Sequence, residues 1–338
     1  MTKGLVSIIA PCYNKDNVCG RFIQSVIDQT YRPIELIIIN DGSTDNSEEV
    51  VLSYQDQVEK NGIKFKYILK ENEGLGAAIN TGLEHVEGEF ICWPDTDDWY
   101  EPTATEEKVK YLQANDDKAI VSTNAYIIYE NALQDRNKVV NSNETRANES
   151  NQFFLLLQGQ SDLCSGMHMV RSEELFSALN GRKIYPSRHG QNFQLLLPMY
   201  YHYKRGYINK PLYCYVVYAD SMSHHKRDFK ETIAHREQII DIKHHAIDGV
   251  YGISDEDRKK AYAIVDSMEH RIRLSICYQY HEVSYGVSQY EWLKSNSFLL
   301  NEDKRVFLRL KYPFYDKMYS HITNLKNGIY RTLKSNRR

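Results

Sequence analysis

The chain opens with apolar runs separated by stretches of helical spacing. Leu5–Ala10 (LVSIIA) and Ile34–Ile39 (IELIII) are nearly unbroken apolar, β-branched segments. Such runs suit strands buried on both faces of a parallel sheet. Between them, Val18, Phe22, Val26 and Ile27 recur at helical spacing within Val18–Thr30. The alternation continues with a strand over Ile63–Leu69, a helix over Gly74–Val86, a strand over Phe90–Trp93 and a helix over Pro102–Ala114. Thr44 or Asp45 is placed to cap a further helix running to Tyr54. Repeated strand–helix units predict a mostly parallel, Rossmann-like α/β sheet flanked by helices.

Beyond residue 115 the pattern loosens. Ala119–Tyr129 reads as a strand, 135–151 as a polar loop, Gln191–Tyr203 as a helix and Ile208–Val217 as an edge strand. From Asp228 onward the chain is charged and helical, with a long helix over Asp255–Tyr280. These shifts divide the chain into three: residues 1–100, residues 101–225 and a helical C-terminal region, 226–338.

In open α/β sheets, ligands bind at the carboxyl ends of the strands. The polar clusters fall there: Pro11–Asn14, Asn40–Thr44, Lys70–Gly76 and Asp95–Asp98. Asp95, Asp97 and Asp98 place three carboxylates within four residues. Their mutual repulsion suits a cation, and carboxylate oxygens beside a diphosphate suit Mn²⁺ or Mg²⁺. The same four residues would also serve as a solvated turn, with Asp98 capping the next helix. Tyr13 could lie against a nucleotide base, and Asp41 could accept from a base N–H or a ribose hydroxyl. Both segments equally suit ordinary turns. The glycines from Gly74 onward let a backbone approach a ligand at a helix N-terminus, a feature common to many unrelated loops.

The order VSIIAPCYN, IELIIINDGSTDNS and NEGLGAAINTGLEHVEGEFICWPDTDD resembles the family 2 glycosyltransferases of the GT-A fold over roughly residues 5–102. That resemblance implies an inverting hexosyl-type transfer from a nucleotide sugar, UDP-linked in this reading, to a hydroxyl of a glycan or lipid-linked acceptor. It further implies that residues 1–100 bind the donor and 101–225 the acceptor. Pro11, Tyr13 and Asn14 would line base and ribose, and Asp41 would bond the base. Gly74 to Asn80 would border the nucleotide or donor sugar. Asp95 would hold the ribose or sugar, and Asp97, with Asp98 beside it, the metal. The setting implied is bacterial capsule, O-antigen or exopolysaccharide synthesis.

Three features depart from the family pattern. The Glu-Asp pair whose Asp serves as base is replaced at Gln191-Asn192; the arginine before the helix Asn is replaced by Ile79; a family His near the end of the acceptor region is replaced by Tyr218. His224 is the candidate to take the place of that His, and a candidate metal ligand. For the base, His189, Asp162, an unlocated group, or a catalytically impaired sugar-nucleotide-binding homologue all stay open. A nucleotidyltransferase is the remaining alternative, although Pro11–Asn17 lacks the basic Gly-rich loop that class carries.

Charge adds one feature. The net charge of −3 selects no partner, but residues 304–338 carry ten Lys/Arg against the single acid Asp316. Aromatics interleave with those basic residues, which suits peripheral contact with an anionic membrane; a helix packed on the body would use the same residues. Nothing resembles a nucleic-acid module. The six cysteines form no C-x-x-C pair and read as buried free thiols of a reducing compartment. With no run of ~20 apolar residues, the expected location is the cytoplasm, with peripheral contact at the inner face of the membrane.

Overall fold

A computed structural model describes residues 1–140, 149, 151–218 and 227–317. Its centre is an eight-stranded mixed sheet. In chain order the strands are β1 (Thr2–Cys12), β2 (Ile34–Asp41), β3 (Ile63–Lys70), β4 (Gly88–Cys92), β5 (Trp99–Tyr100), β6 (Lys118–Tyr129), β7 (His168–Arg171) and β8 (Lys204–Val217). Their spatial order is β3-β2-β1-β4-β7-β6-β8-β5. The chain reverses direction across the sheet on either side of β1, so the ends of β1, β2 and β4 face one crevice.

The apolar runs do what their composition demands. Every residue of Ile34–Asp41 is buried, and Val6, Ile8, Ile9 and Ala10 of β1 are fully buried. β1, β2, β3 and β4 pair in parallel. The first helix runs over Cys19–Ile27, and its Phe22, Ile23 and Val26 join the core cluster beneath β1 and β2. The helix following β3 spans Leu75–Glu84 and packs on β1 and β2.

Two features were not legible locally. β7 is antiparallel to both β4 and β6 and joins the halves of the sheet. The expected edge strand, Ile208–Val217, belongs to a longer strand that pairs in parallel with β6 on one side. Its other side is covered at Tyr213 and Cys214 by the two-residue β5. A two-residue strand has no periodicity to read.

The chain separates into two compact units. One takes residues 1–225 and 241–261; the other takes 226–240 and 262–338. The described part of the second is helical, around Leu274, Cys277, Leu293 and Leu310. Within it Arg236 pairs with the fully buried Glu269, and Arg271 with Asp303 at 3.2 Å. The helix Asn301–Lys311 turns Leu310, Val306 and Phe307 into that core, while Phe314 stays 81% exposed. The rest of the basic tail, 318–338, lies outside the described residues. All six cysteines are free, and no helix among the described residues is long and apolar enough to cross a membrane.

Candidate active site

The loops after β1 and β2 are joined by side chains. Asn14 sits in the left-handed region (φ 51°), which Asn tolerates better than most residues. Its side-chain oxygen accepts from the Thr44 amide at 2.8 Å, and its own amide donates to the Ser43 hydroxyl at 3.0 Å. Tyr13 is left 46% exposed at the rim. The Pro11 carbonyl accepts from the Thr96 hydroxyl at 3.0 Å, which binds the end of β1 to the acidic loop after β4. The nucleotide candidates and the acidic loop therefore share one rim.

Asp41 is buried at the end of β2. Its Oδ1 accepts from Lys70 Nζ at 3.0 Å and the Glu73 amide at 3.2 Å; its Oδ2 accepts from the Gly74 amide at 2.9 Å. Gly74 adopts φ 95°, and an added Cβ would lie 2.9 Å from Arg188 Cγ. At Gly76 an added Cβ would lie 2.7 Å from the Ser187 backbone nitrogen, and the Gly76 amide donates to the Ser187 carbonyl at 2.8 Å. Asn80 bonds both backbone groups of Ile184, at 2.9 and 2.8 Å. Gly74 to Asn80 thus form the seat for the segment 184–189. The Asn80 carboxamide, expected to border the nucleotide, is spent on that segment.

The three aspartates have three different surroundings. Asp98 is 1% exposed and turned inward, accepting from Tyr213 Oη at 2.9 Å and the Val216 amide at 2.7 Å. Burial, then the charges of Asp97 and Asp95, raise its pKa well above the usual carboxylate range. Asp98 was expected beside the metal; its two oxygens instead brace β8. Asp95 accepts from Ser165 Oγ at 2.7 Å. Burial and the neighbouring Asp97 push its pKa up to about 6, against the opposing pull of Ser165 and Lys15.

Asp97 keeps 25% of its side chain exposed and is bonded through both its carboxylate and its carbonyl. Lys15 Nζ lies 2.6 Å from its Oδ2. Arg21 Nη2 and Tyr218 Oη donate to its carbonyl at 2.8 and 3.1 Å, and Arg21 also donates to Tyr218 Oη at 2.7 Å. Sequence reasoning missed Lys15, Arg21, Ser165 and Tyr213. Tyr218 was noted only as a departure from a pattern, and that departure was the available signal. His224 lies outside the described residues.

Among the described residues no three His, Cys, Asp or Glu side chains form a metal-holding group. The chemistry present nonetheless fits a hard divalent ion. Mg²⁺ and Mn²⁺ are commonly held by one or two carboxylates, with waters and phosphates completing the shell. Asp97 and Asp95 offer such a pair, and a cation, the Lys15 ammonium, already rests on Asp97.

The candidates for a base flank the helix Gln191–His202. Asn192 accepts from the Trp93 indole N–H at 2.9 Å and donates to the Leu163 carbonyl at 2.7 Å. Leu163 directly follows Asp162, so that second bond joins Asn192 to the residue next to this candidate base. The buried Arg205 guanidinium lies 3.8 Å from the Asp162 carboxylate. His189 is half-buried on the segment seated by Asn80, and its carbonyl accepts from Ser187 Oγ at 2.5 Å. His168 lies beneath, fully buried and stacked on Trp93 with ring centroids 6.3 Å apart. Its Nδ1 bonds the Cys164 carbonyl at 3.0 Å and its Nε2 the Tyr200 hydroxyl at 3.2 Å. Burial, then Arg205, push its pKa down to about 3.

A mixed α/β sheet with an acidic loop after β4, opposite polar turns after β1 and β2, defines a GT-A-type fold. Residues 7–176 match the family model described as glycosyl transferase family 2, and the chain belongs to that family. An uncharacterized glycosyltransferase of Rickettsia typhi is 41% identical over 117 residues, 35% of each chain. Glycosyltransferase GlyA of Streptococcus pneumoniae is 38% identical over 107 residues, 32% of this chain and 15% of that one. The match thus spans about a third or less of the length of these relatives.

Solved structures extend the likeness of fold. The S. aureus TarS fragment 1–349, in complex with UDP-GlcNAc, aligns with a TM-score of 0.60 at 14% identity, covering 94% of this chain and 91% of that one. The mannosyltransferase PcManGT from Pyrobaculum calidifontis, in complex with GDP-Man and Mn²⁺, aligns with a TM-score of 0.53 at 15% identity, covering 93% and 86%.

Proposed function

We propose that this protein transfers a sugar, with inversion, from a nucleotide donor to an acceptor hydroxyl. The observation that carries this reading is the shared rim: the Thr96–Pro11 bond holds the acidic loop against the Asn14 and Ser43 turns. In this reading Pro11, Tyr13 and Asn14 line the base and ribose. Asp41 Oδ2 carries one described donor and retains a lone pair for a base N–H. Asp97, with Asp95, holds Mn²⁺ or Mg²⁺. The ion, when bound, offsets the charge that builds on the departing diphosphate.

The acceptor oxygen attacks the anomeric carbon as the bond to the diphosphate oxygen breaks. The acceptor proton passes to a base, and the nucleoside diphosphate leaves. We assign the base to Asp162, because the Asn192–Leu163 bond sets it beside the head of the Gln191–His202 helix, with Arg205 orienting the carboxylate. Asp41 suits a base that carries an N–H, as uracil and guanine do, and of these the donor proposed is UDP-linked. The TarS fragment, of similar fold, was crystallised with UDP-GlcNAc. The acceptor is proposed to be a glycan or a lipid-linked glycan of the bacterial cell envelope. The basic region after Lys304 would hold the enzyme peripherally at an anionic membrane.

Calorimetry with UDP, with and without Mn²⁺, on the wild type and Asp97→Ala tests the donor site. Metal-dependent binding, lost in the variant, is expected, followed by release of UDP from a cognate UDP-sugar. Binding of neither UDP nor GDP in either condition overturns the reading. Normal UDP affinity without turnover on any sugar nucleotide identifies an impaired homologue, and release of pyrophosphate a nucleotidyltransferase.

A further inference from the structure

Lys15 belongs to no motif that led to the site, yet its ammonium makes the one described side-chain contact to the part-exposed carboxylate of Asp97. Its ammonium lies 2.6 Å from Asp97 Oδ2 and donates a charge-assisted hydrogen bond. The backbone at Lys15 is fixed, because its amide donates to Ser47 Oγ at 2.7 Å and its carbonyl accepts from the amides of Val18 and Cys19. The side chain remains 35% exposed, so the ammonium can leave Asp97 without dragging the loop. Arg21 and Tyr218 are bound to the Asp97 carbonyl, not its carboxylate. Lys15 is therefore the described cation that occupies the oxygen a metal would take.

Resting on the donor-site reading above, we propose that Lys15 is a built-in counter-cation of Asp97 that couples metal binding to nucleotide binding. Without nucleotide, a divalent ion must displace the ammonium and then sit beside its positive charge. A diphosphate would change the balance, because its negative charge would serve both the ion and the ammonium, so both cations would gain a partner. The metal then binds well only together with the diphosphate. An effect on two ligands through one group is a coupling free energy, and it is reciprocal.

The test measures Mn²⁺ affinity by calorimetry or by electron paramagnetic resonance of free Mn²⁺, with and without UDP. It uses the full chain as wild type, Lys15→Met and Arg136→Gln. The last removes the same charge from a residue that pairs with Glu101 instead of Asp97. Thermal melts confirm folding. Lys15→Met is expected to bind Mn²⁺ alone about tenfold more tightly than wild type, and to lose about tenfold of the enhancement by UDP, within the usual range of such couplings. Arg136→Gln is expected to shift neither by more than about twofold. Unchanged or weaker binding of Mn²⁺ alone by Lys15→Met overturns the proposal, and so does an equal shift in Arg136→Gln. If neither wild type nor Lys15→Met binds Mn²⁺ even with UDP, the assignment of the metal to Asp97 fails and this inference falls with it.

Discussion

The indole N–H of Trp93 donates to the side-chain oxygen of Asn192 at 2.9 Å, tying the end of β4 to the head of the helix Gln191–His202. The other end of the same carboxamide donates to the Leu163 carbonyl. An amide can do both; a carboxylate accepts only. Asn192→Asp, although it places an acid where the family pattern has one, sets a carboxylate against the Leu163 carbonyl. It is expected to lower stability by about 1–2 kcal/mol and not to raise the turnover of Asp162→Asn. Urea unfolding and donor turnover check the two halves; a stable, active double variant would refute both.

Asp162 and His189 are separated by removing each in turn. Asp162→Asn is expected to cut transfer by about 10²-fold or more while UDP affinity stays within twofold. His189→Ala is expected to retain most of the transfer. The opposite pattern would move the base to His189.

Asp97 and Asp98 are neighbours with different surroundings, one part-exposed against Lys15 and the other buried against Tyr213 and Val216. Asp98→Ala strands the Tyr213 hydroxyl and the Val216 amide in a buried place, and is expected to cost about 2–4 kcal/mol. Asp97→Ala loses a part-exposed ion pair and is expected to cost less than about 1 kcal/mol while losing the metal. Chemical denaturation reads the first difference, Mn²⁺ binding the second. Equal losses of stability would show that Asp98 is not the structural member.

His168 makes the fold acid-sensitive. Its pKa is about 3 when folded, against an ordinary value of 6.5. Between those values the unfolded chain binds a proton that the folded chain refuses, so stability rises with pH. The contribution is complete above about 6.5 and is lost toward 3, at up to about 1.4 kcal/mol per pH unit. His168→Gln is expected to flatten the slope of unfolding free energy between pH 4 and 6. An unchanged slope would mean that other groups set the acid limit.

The sequence by itself determined the alternation of β1 to β4 with their helices, because each of those elements carries its own period and its own turn chemistry. It also placed Asn14, Asp41, Asp95 and Asp97 at the carboxyl ends of strands, since chain order alone puts those loops on one edge of a parallel sheet. Tertiary structure decided the roles. Asp97 and Asp98 are adjacent and chemically identical; one meets Lys15, 82 positions away, and the other the Val216 amide, 118 positions away. Asn80 looked like a ligand residue until the segment 184–189 came to lie on it. Asp162 and His189 were both open as bases in the sequence; what the fold adds for Asp162 is the bond from Asn192 to the carbonyl of its neighbour Leu163 and the guanidinium of Arg205 at 3.8 Å. Local pattern records what a residue's neighbours in the chain require. Whether a polar group faces a ligand or a buried partner depends on groups that only the closed sheet brings within hydrogen-bond reach.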